Sequence, residues 1–176
     1  MASDSLLGNY SPESMVIVIS KGDFVHTING YADGTFLNIS RITPASELYV
    51  GSDNSTGRVK RRNKASTITL TLMQHATSNA VLQALQRADE EDDVGNKYVF
   101  AITIKDLSGT GVWSSNQTFI ATNPDTSFSN TTETRDWVLS AVSLSANIGA
   151  NTLFDAADVA AMQALGAEVD TRWQLT

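Results

Sequence analysis

The order of apolar and polar residues changes period once, near the middle of the chain. From Ser66 to Met73 the residues alternate, with Ile68, Leu70 and Leu72 on one side and Thr67, Thr69 and Thr71 on the other. That is the repeat of a half-buried β-strand. From Thr77 the spacing turns helical, with Val81, Leu82, Leu85 and Ala88 on one stripe. It predicts a helix over about 77–88, with Ser78 as the N-cap whose hydroxyl accepts a free first-turn amide. Elsewhere the two-residue repeat dominates. Residues 15–20 and 24–28 read as strands around a turn at Lys21–Asp23, and residues 35–42 as another. Residues 97–106 and 112–122 read as a hairpin around LSGTG. Residues 137–149 form the last long strand, with Trp137, Leu139 and Ala141 on one face and Val138, Val142 and Leu144 on the other. A short helical stripe follows, carrying Phe154, Ala161 and Leu165 with Val159 and Met162 beside it. Gly166 stands in the C′ position. The Trp173 and Leu175 side chains beyond it are exposed unless they dock on something.

These elements predict one main β domain over residues 14–150, with an extended arm over 1–13 before it and a helical extension over 151–176 after it. Inside the domain, about 47–66 reads as a hairpin arm: a strand at Glu47–Val50, a polar tip, then Arg58, Lys60, Arg61, Arg62 and Lys64. Five of the twelve basic residues lie there. The opposite charge gathers at Asp89, Glu90, Glu91, Asp92 and Asp93. Carboxylates there would face the negative end of a helix dipole, so the helix is expected to stop near Ala88 and leave the acids in a loop. Basic arm and acidic run can meet between neighbouring copies of the chain, a head-to-tail contact that closes into rings.

Composition then removes function classes. A net charge of −7 works against wrapping nucleic acid, which needs clustered positive charge. With no cysteine there is no thiolate nucleophile, disulfide framework or cysteine metal site. His26 and His75 lie on or beside strands, without a GxSxG elbow. The acidic run lacks the spacing and central glycine of a calcium loop, and no glycine-rich stretch carries the lysine of a phosphate loop. Neither a cofactor nor a metal is expected, and catalysis is not. The N-terminal residues lack the pattern of a signal peptide, and no window approaches the roughly 20 apolar residues of a membrane span. The threonine face of residues 66–73 remains open to two readings: the solvated side of an ordinary sheet, or the lining of a channel.

Several segments together resemble the tail tube proteins of contractile-tailed bacteriophages: GYADGTFLNISR, GRVKRRNKASTITLTLMQHATSNAVLQAL, KDLSGTGVW and NPDTSFSNTTETRDWVL. The similarity covers roughly residues 12–148, and residues 149–176 run past the usual end. The resemblance implies a mainly β, sandwich or barrel-like subunit with one flanking helix, plus here a short C-terminal helix. It implies six-membered rings stacked into a hollow tube inside a contractile sheath, built in the host cytoplasm and ending in the virion. The implied partners are the chain itself, the sheath, and baseplate, initiator and terminator proteins. DNA would pass through the lumen without specific binding, and no membrane anchor is implied. In that setting Thr67, Thr69 and Thr71 face the lumen, and the basic arm meets the acidic run between subunits or rings. The C-terminal helix would lie outside, toward the sheath. The alternatives are a tube initiator or terminator of the same fold, or a β-sandwich module that binds carbohydrate or a host surface through Trp113, Trp137 or Trp173.

Overall fold

Alternation places the strands, and pairing between distant ones builds the sheet. The computed structural model describes residues 7–175; of the arm expected over 1–13, residues 1–6 lie outside the described residues. The elements are β1 (Met15–Lys21), β2 (Phe24–Thr27), β3 (Leu37–Arg41), β4 (Ser46–Val50), β5 (Thr56–Lys60), β6 (Ser66–Met73), α1 (Thr77–Glu90), β7 (Phe100–Asp106), β8 (Val112–Thr122), β9 (Thr134–Ala141), β10 (Ser145–Asn147) and α2 (Ala156–Ala164). The fold is mainly β, with 39% of residues in strands and 17% in helices. Seven strands follow the order β2-β1-β7-β8-β9-β6-β3, with β10 paired to β8, while β4 and β5 form a sheet of their own.

The chain divides into two compact units. The larger holds Ile17–Thr103 and Ser114–Ser145. Its core follows the two-residue repeat: Ile68, Leu70 and Leu72 of β6 are fully buried, as is Leu139 of β9, and Trp137 and Ala141 are nearly so. Register explains why they meet, since Ile68 lies opposite Leu139 and Leu70 opposite Trp137. Leu82 of α1 joins them at zero exposure. The Trp137 indole donates from Nε1 to Asn79 Oδ1 at 2.9 Å, so its one polar atom is satisfied by the helix that covers it.

Three local expectations are corrected. Ser78 does not cap α1; the N-cap is Ala76 and no side chain caps the helix. Ser78 is instead buried, where Oγ accepts from Asn29 N (2.9 Å) and donates to Asn29 Oδ1 (3.1 Å). The helix also runs on to Glu90, because Gln86 Nε2 donates to Glu90 Oε1 at 2.8 Å and Glu91 N still reaches Arg87 O. At an exposed end the unfavourable dipole term is small, about 0.3–1 kcal/mol, and the last turn outweighs it. The long strand expected to 149 breaks after Ala141. There Val142 N turns to Gln117 O and Leu144 N to Lys64 O. Val142 keeps the side expected of it, at 49% exposure, but Leu144, expected on the same face, is buried.

Gly30 marks where the β2–β3 connection passes under the start of α1. Its φ is +76°, and an added Cβ would lie 2.3 Å from Ala76 Cβ. Gly30→Ala is therefore expected to cost more than about 1 kcal/mol, from strain and collision together. A lowered urea midpoint checks this, and an unchanged one would show that the connection moves aside freely.

The smaller unit collects the chain up to Val16, Ile104–Trp113 and the chain from Ala146. Buried Asp106 organises it, accepting Ser108 Oγ at 2.6 Å and Ser108 N at 2.9 Å on Oδ1, and Asn151 Nδ2 at 2.7 Å on Oδ2. Burial alone pushes this carboxyl up, but the hydrogen bonds from Ser108 and Asn151 outweigh it and hold the group below its ordinary value. A depressed carboxylate contributes stability that is present above the unfolded-state value of about 4 and is lost as pH falls through the folded one. The acid limb of the stability curve below about pH 4 should accordingly flatten in Asp106→Asn; a limb identical to wild type would contradict this. Further on, Asp155 Oδ1 caps α2 by accepting Asp158 N at 2.8 Å. The tail returns, with Phe154 N bonded to Trp173 O and Leu175 N to Phe154 O. Trp173 is half-buried by this return, whereas Leu165 leaves the expected stripe and is 88% exposed.

Candidate assembly surfaces

The polar side of β6 is flanked on both edges. Thr67 lies between Ser40 of β3 and Ser140 of β9, Thr69 between Asn38 and Val138, and Thr71 lies opposite Asp136. The three threonines are half-buried, while the alternating isoleucine and leucines are sealed. Across these positions of β3, β6 and β9 the face carries hydroxyls, one amide, one valine and one carboxylate, and no cation. The arrangement presents neutral hydrogen-bonding groups from residues of high β-propensity and gives a polyanion nothing to grip.

The basic residues sit on or beside the separate β4–β5 hairpin, which is exposed along most of its length. Two of them are engaged within it. Arg61 pairs with Glu47 at 2.8 Å, and the Arg58 guanidinium donates to Ser46 Oγ at 2.9 Å. Arg41 anchors the base, donating from Nε to Asn63 O at 2.9 Å and from Nη2 to the same oxygen and to Arg61 O. Lys60, Arg62 and Lys64 are exposed and make no ion pair among the described residues. The acidic run lies at the far end of α1. Asp89 and Glu90 close the helix, and Asp92 folds back to accept Lys97 N (2.8 Å) and Val94 N (3.3 Å). The amide of Lys97 chiefly holds the Asp92 carboxyl below its ordinary value. Glu91 and Asp93 are exposed. No ion pair joins the basic set to the acidic set among the described residues.

The histidines and tryptophans have structural surroundings. His26 Nε2 lies 2.9 Å from Ser78 Oγ, with Asn29 on the same hydroxyl, but that serine has no solvent-exposed surface to attack a substrate. It ties β2 to the start of α1. His75 is exposed. Trp137 is buried and Trp113 and Trp173 are half-buried, so the tryptophans do not supply the open platform that a carbohydrate-binding module needs. The most exposed rings among the described residues are Tyr49 and Phe128 instead, at 71% and 75% exposure, and periodicity alone does not single them out. Among the described residues no helix is long and apolar enough to cross a membrane.

A family model described as Bacteriophage PhiTE tail tube protein matches residues 15–149. The structural protein ORF10 of Pseudomonas phage KPP10 is 32% identical over 166 residues, covering 93% of this chain and 95% of that protein. That coverage takes the relatedness beyond residue 149, into the C-terminal segment. A chain of the sheath–tube complex of an extracellular contractile injection system, PVC, in its extended state has the same fold. Its TM-score is 0.50 at 14% identity, covering 80% of this chain and 92% of that one.

Proposed function

This chain belongs to the bacteriophage PhiTE tail tube protein family, whose members are virion structural proteins and not enzymes, and on that premise we propose that it is the tube subunit itself. Copies assemble in the host cytoplasm into rings, six to a ring, and the rings stack into a hollow conduit within a contractile sheath. Its partners are further copies of itself, the sheath, a baseplate-side initiator and a terminator at the other end. The α2 segment lies on the outside of the tube.

The observation that carries this reading is the cation-free hydroxyl face of β3, β6 and β9, with Thr67, Thr69 and Thr71 along its middle strand. A conduit for DNA must keep water on its wall and avoid holding phosphates, and this face meets both conditions. Thr69→Lys or Thr71→Lys adds a cation there without touching the sealed side. The subunit should fold and assemble normally, while virions carrying it release DNA at least about tenfold less efficiently, since each phosphate contact adds to retention. Normal release from assembled variant tails would remove these residues from the lumen.

Between subunits, Arg58, Lys60, Arg61, Arg62 and Lys64 face Asp89, Glu90, Glu91, Asp92 and Asp93 of a neighbour. Exposed pairs contribute only about 0–1 kcal/mol each, so they set register while apolar and strand-edge contacts supply affinity. Because Arg61 is already neutralised by Glu47, the sharper test is reversal at Arg62 and Lys64. Stacking of that double variant should fall with its thermal unfolding unchanged; unaltered tube lengths would count against the pairing.

A further inference from the structure

Two apolar features of the larger unit lack a partner within it, and their charges suit each other. The first is one face of the β4–β5 hairpin. Cross-strand partners project to the same side, so the register Glu47↔Val59 and Tyr49↔Gly57 puts Glu47, Tyr49 and Val59 on one face. The Glu47–Arg61 pair cancels the charge on that face. Tyr49 is 71% exposed, and the glycine opposite leaves its ring uncovered, with nothing within 4 Å of where a Cβ would stand. The other face carries Leu48 and Val50 with Arg58 and Lys60, and is cationic. A two-stranded hairpin is at best marginally stable alone in water, so a ribbon with this much apolar surface calls for a surface to lie on.

The second feature is a groove of about 610 Å³ on the side of α1. Ala80 and Ala84, one turn apart on α1, line it with Phe24 and Tyr98, and Lys21 and Lys97 border it. Lys97 Nζ already lies 5.4 Å from the Tyr98 ring centroid. The bordering lysines repel the Arg58–Lys60 face of the hairpin and accept the neutral face bearing Tyr49 and Glu47. Along the same helix the lining ends at Ala88, where Asp89 and Glu90 begin, a match for the unpaired Arg62 and Lys64 at the hairpin's base.

We propose that the hairpin of one copy lies in the α1 groove of a second copy, with Tyr49 as the anchor over Ala80 and Ala84. This rests on the tube-subunit reading, which supplies the second copy. Apolar docking gives the contact its strength, and the basic-to-acidic pairing beside it sets the direction in which copies join.

The chain has no cysteine, which makes the test clean. Val59→Cys, on the same face as Tyr49 and leaving that anchor in place, and Ala84→Cys are made separately, and both positions are exposed in the subunit. The two variants are mixed, oxidised mildly and run on a non-reducing gel. Disulfide dimers are expected in the mixture and not in either variant alone, and a ladder from the double variant. Monomer alone in the mixture, or a double variant whose disulfide closes within one chain, overturns the docking. Electron microscopy of wild type in parallel separates the two ideas. Tubes without cross-links sink the docking and leave the tube reading standing; cross-links without tubes do the reverse. As a second readout, Tyr49→Ala should raise the critical concentration for assembly about tenfold, as loss of one anchoring aromatic does, and an unchanged value would overturn the anchor.

Discussion

Replacing Trp137 with alanine is expected to destabilise the subunit by about 3–5 kcal/mol, at the upper end for a large-to-small change in a core. The side chain is 1% exposed and sits on β9 opposite Leu70, in the middle of the sealed face of the sheet. Its removal opens a cavity and also leaves Asn79 Oδ1 without the indole donor at 2.9 Å. Because small domains have only about 5–15 kcal/mol in hand, the variant should unfold within reach of physiological temperature and fail to assemble for that reason alone. Trp137→Phe separates the two losses. It keeps most of the volume and gives up the hydrogen bond, so it should cost about 1–2 kcal/mol. Equilibrium urea unfolding of both variants checks the order; equal losses would assign the effect to the hydrogen bond and not to packing.

Removing the β4–β5 hairpin is expected to do the opposite, abolishing assembly while sparing the fold. The two strands pair only with each other and take no place in the main sheet. The chain ends they would leave are already adjacent, since Arg61 N donates to Ala45 O at 2.9 Å. Joining Ala45 to Arg61 through a short glycine–serine turn shortens a loop, and loop closure changes slowly with length. The subunit's unfolding free energy should then shift by less than about 1 kcal/mol, while sedimentation is expected to show monomer at concentrations where the wild type is expected to form tubes. Tubes of normal length from the deletion variant would contradict the role given to the hairpin.

What the sequence made legible differs from element to element for physical reasons. The face of β6 could be read from eight residues, because side-chain direction in a strand depends only on parity. The same parity argument held through Val142 and failed at Leu144, where the strand has ended, the backbone turns to Gln117 O and Lys64 O, and a side chain expected beside Val142 is buried. Ser78 had the composition of a cap, but a buried contact with Asn29 and His26 claimed its hydroxyl. The charges of the arm and the acidic run were plain in the sequence. That Arg61 is spent on Glu47 was not, because it depends on the register of β4 against β5. The groove on α1 was illegible for the same reason: its lining includes Phe24 and Tyr98, far apart in the chain and joined only by tertiary packing. The turn of the C-terminal tail onto Phe154 rests on backbone hydrogen bonds, which residue type does not announce.

That this subunit builds a conduit out of itself is tested most directly by imaging the purified wild-type protein in the electron microscope. The expected result is rings that stack into smooth, hollow tubes of constant width, with six subunits around each ring. A protein that stays a dispersed monomer at high concentration, or that forms only solid, unordered aggregates, would contradict it.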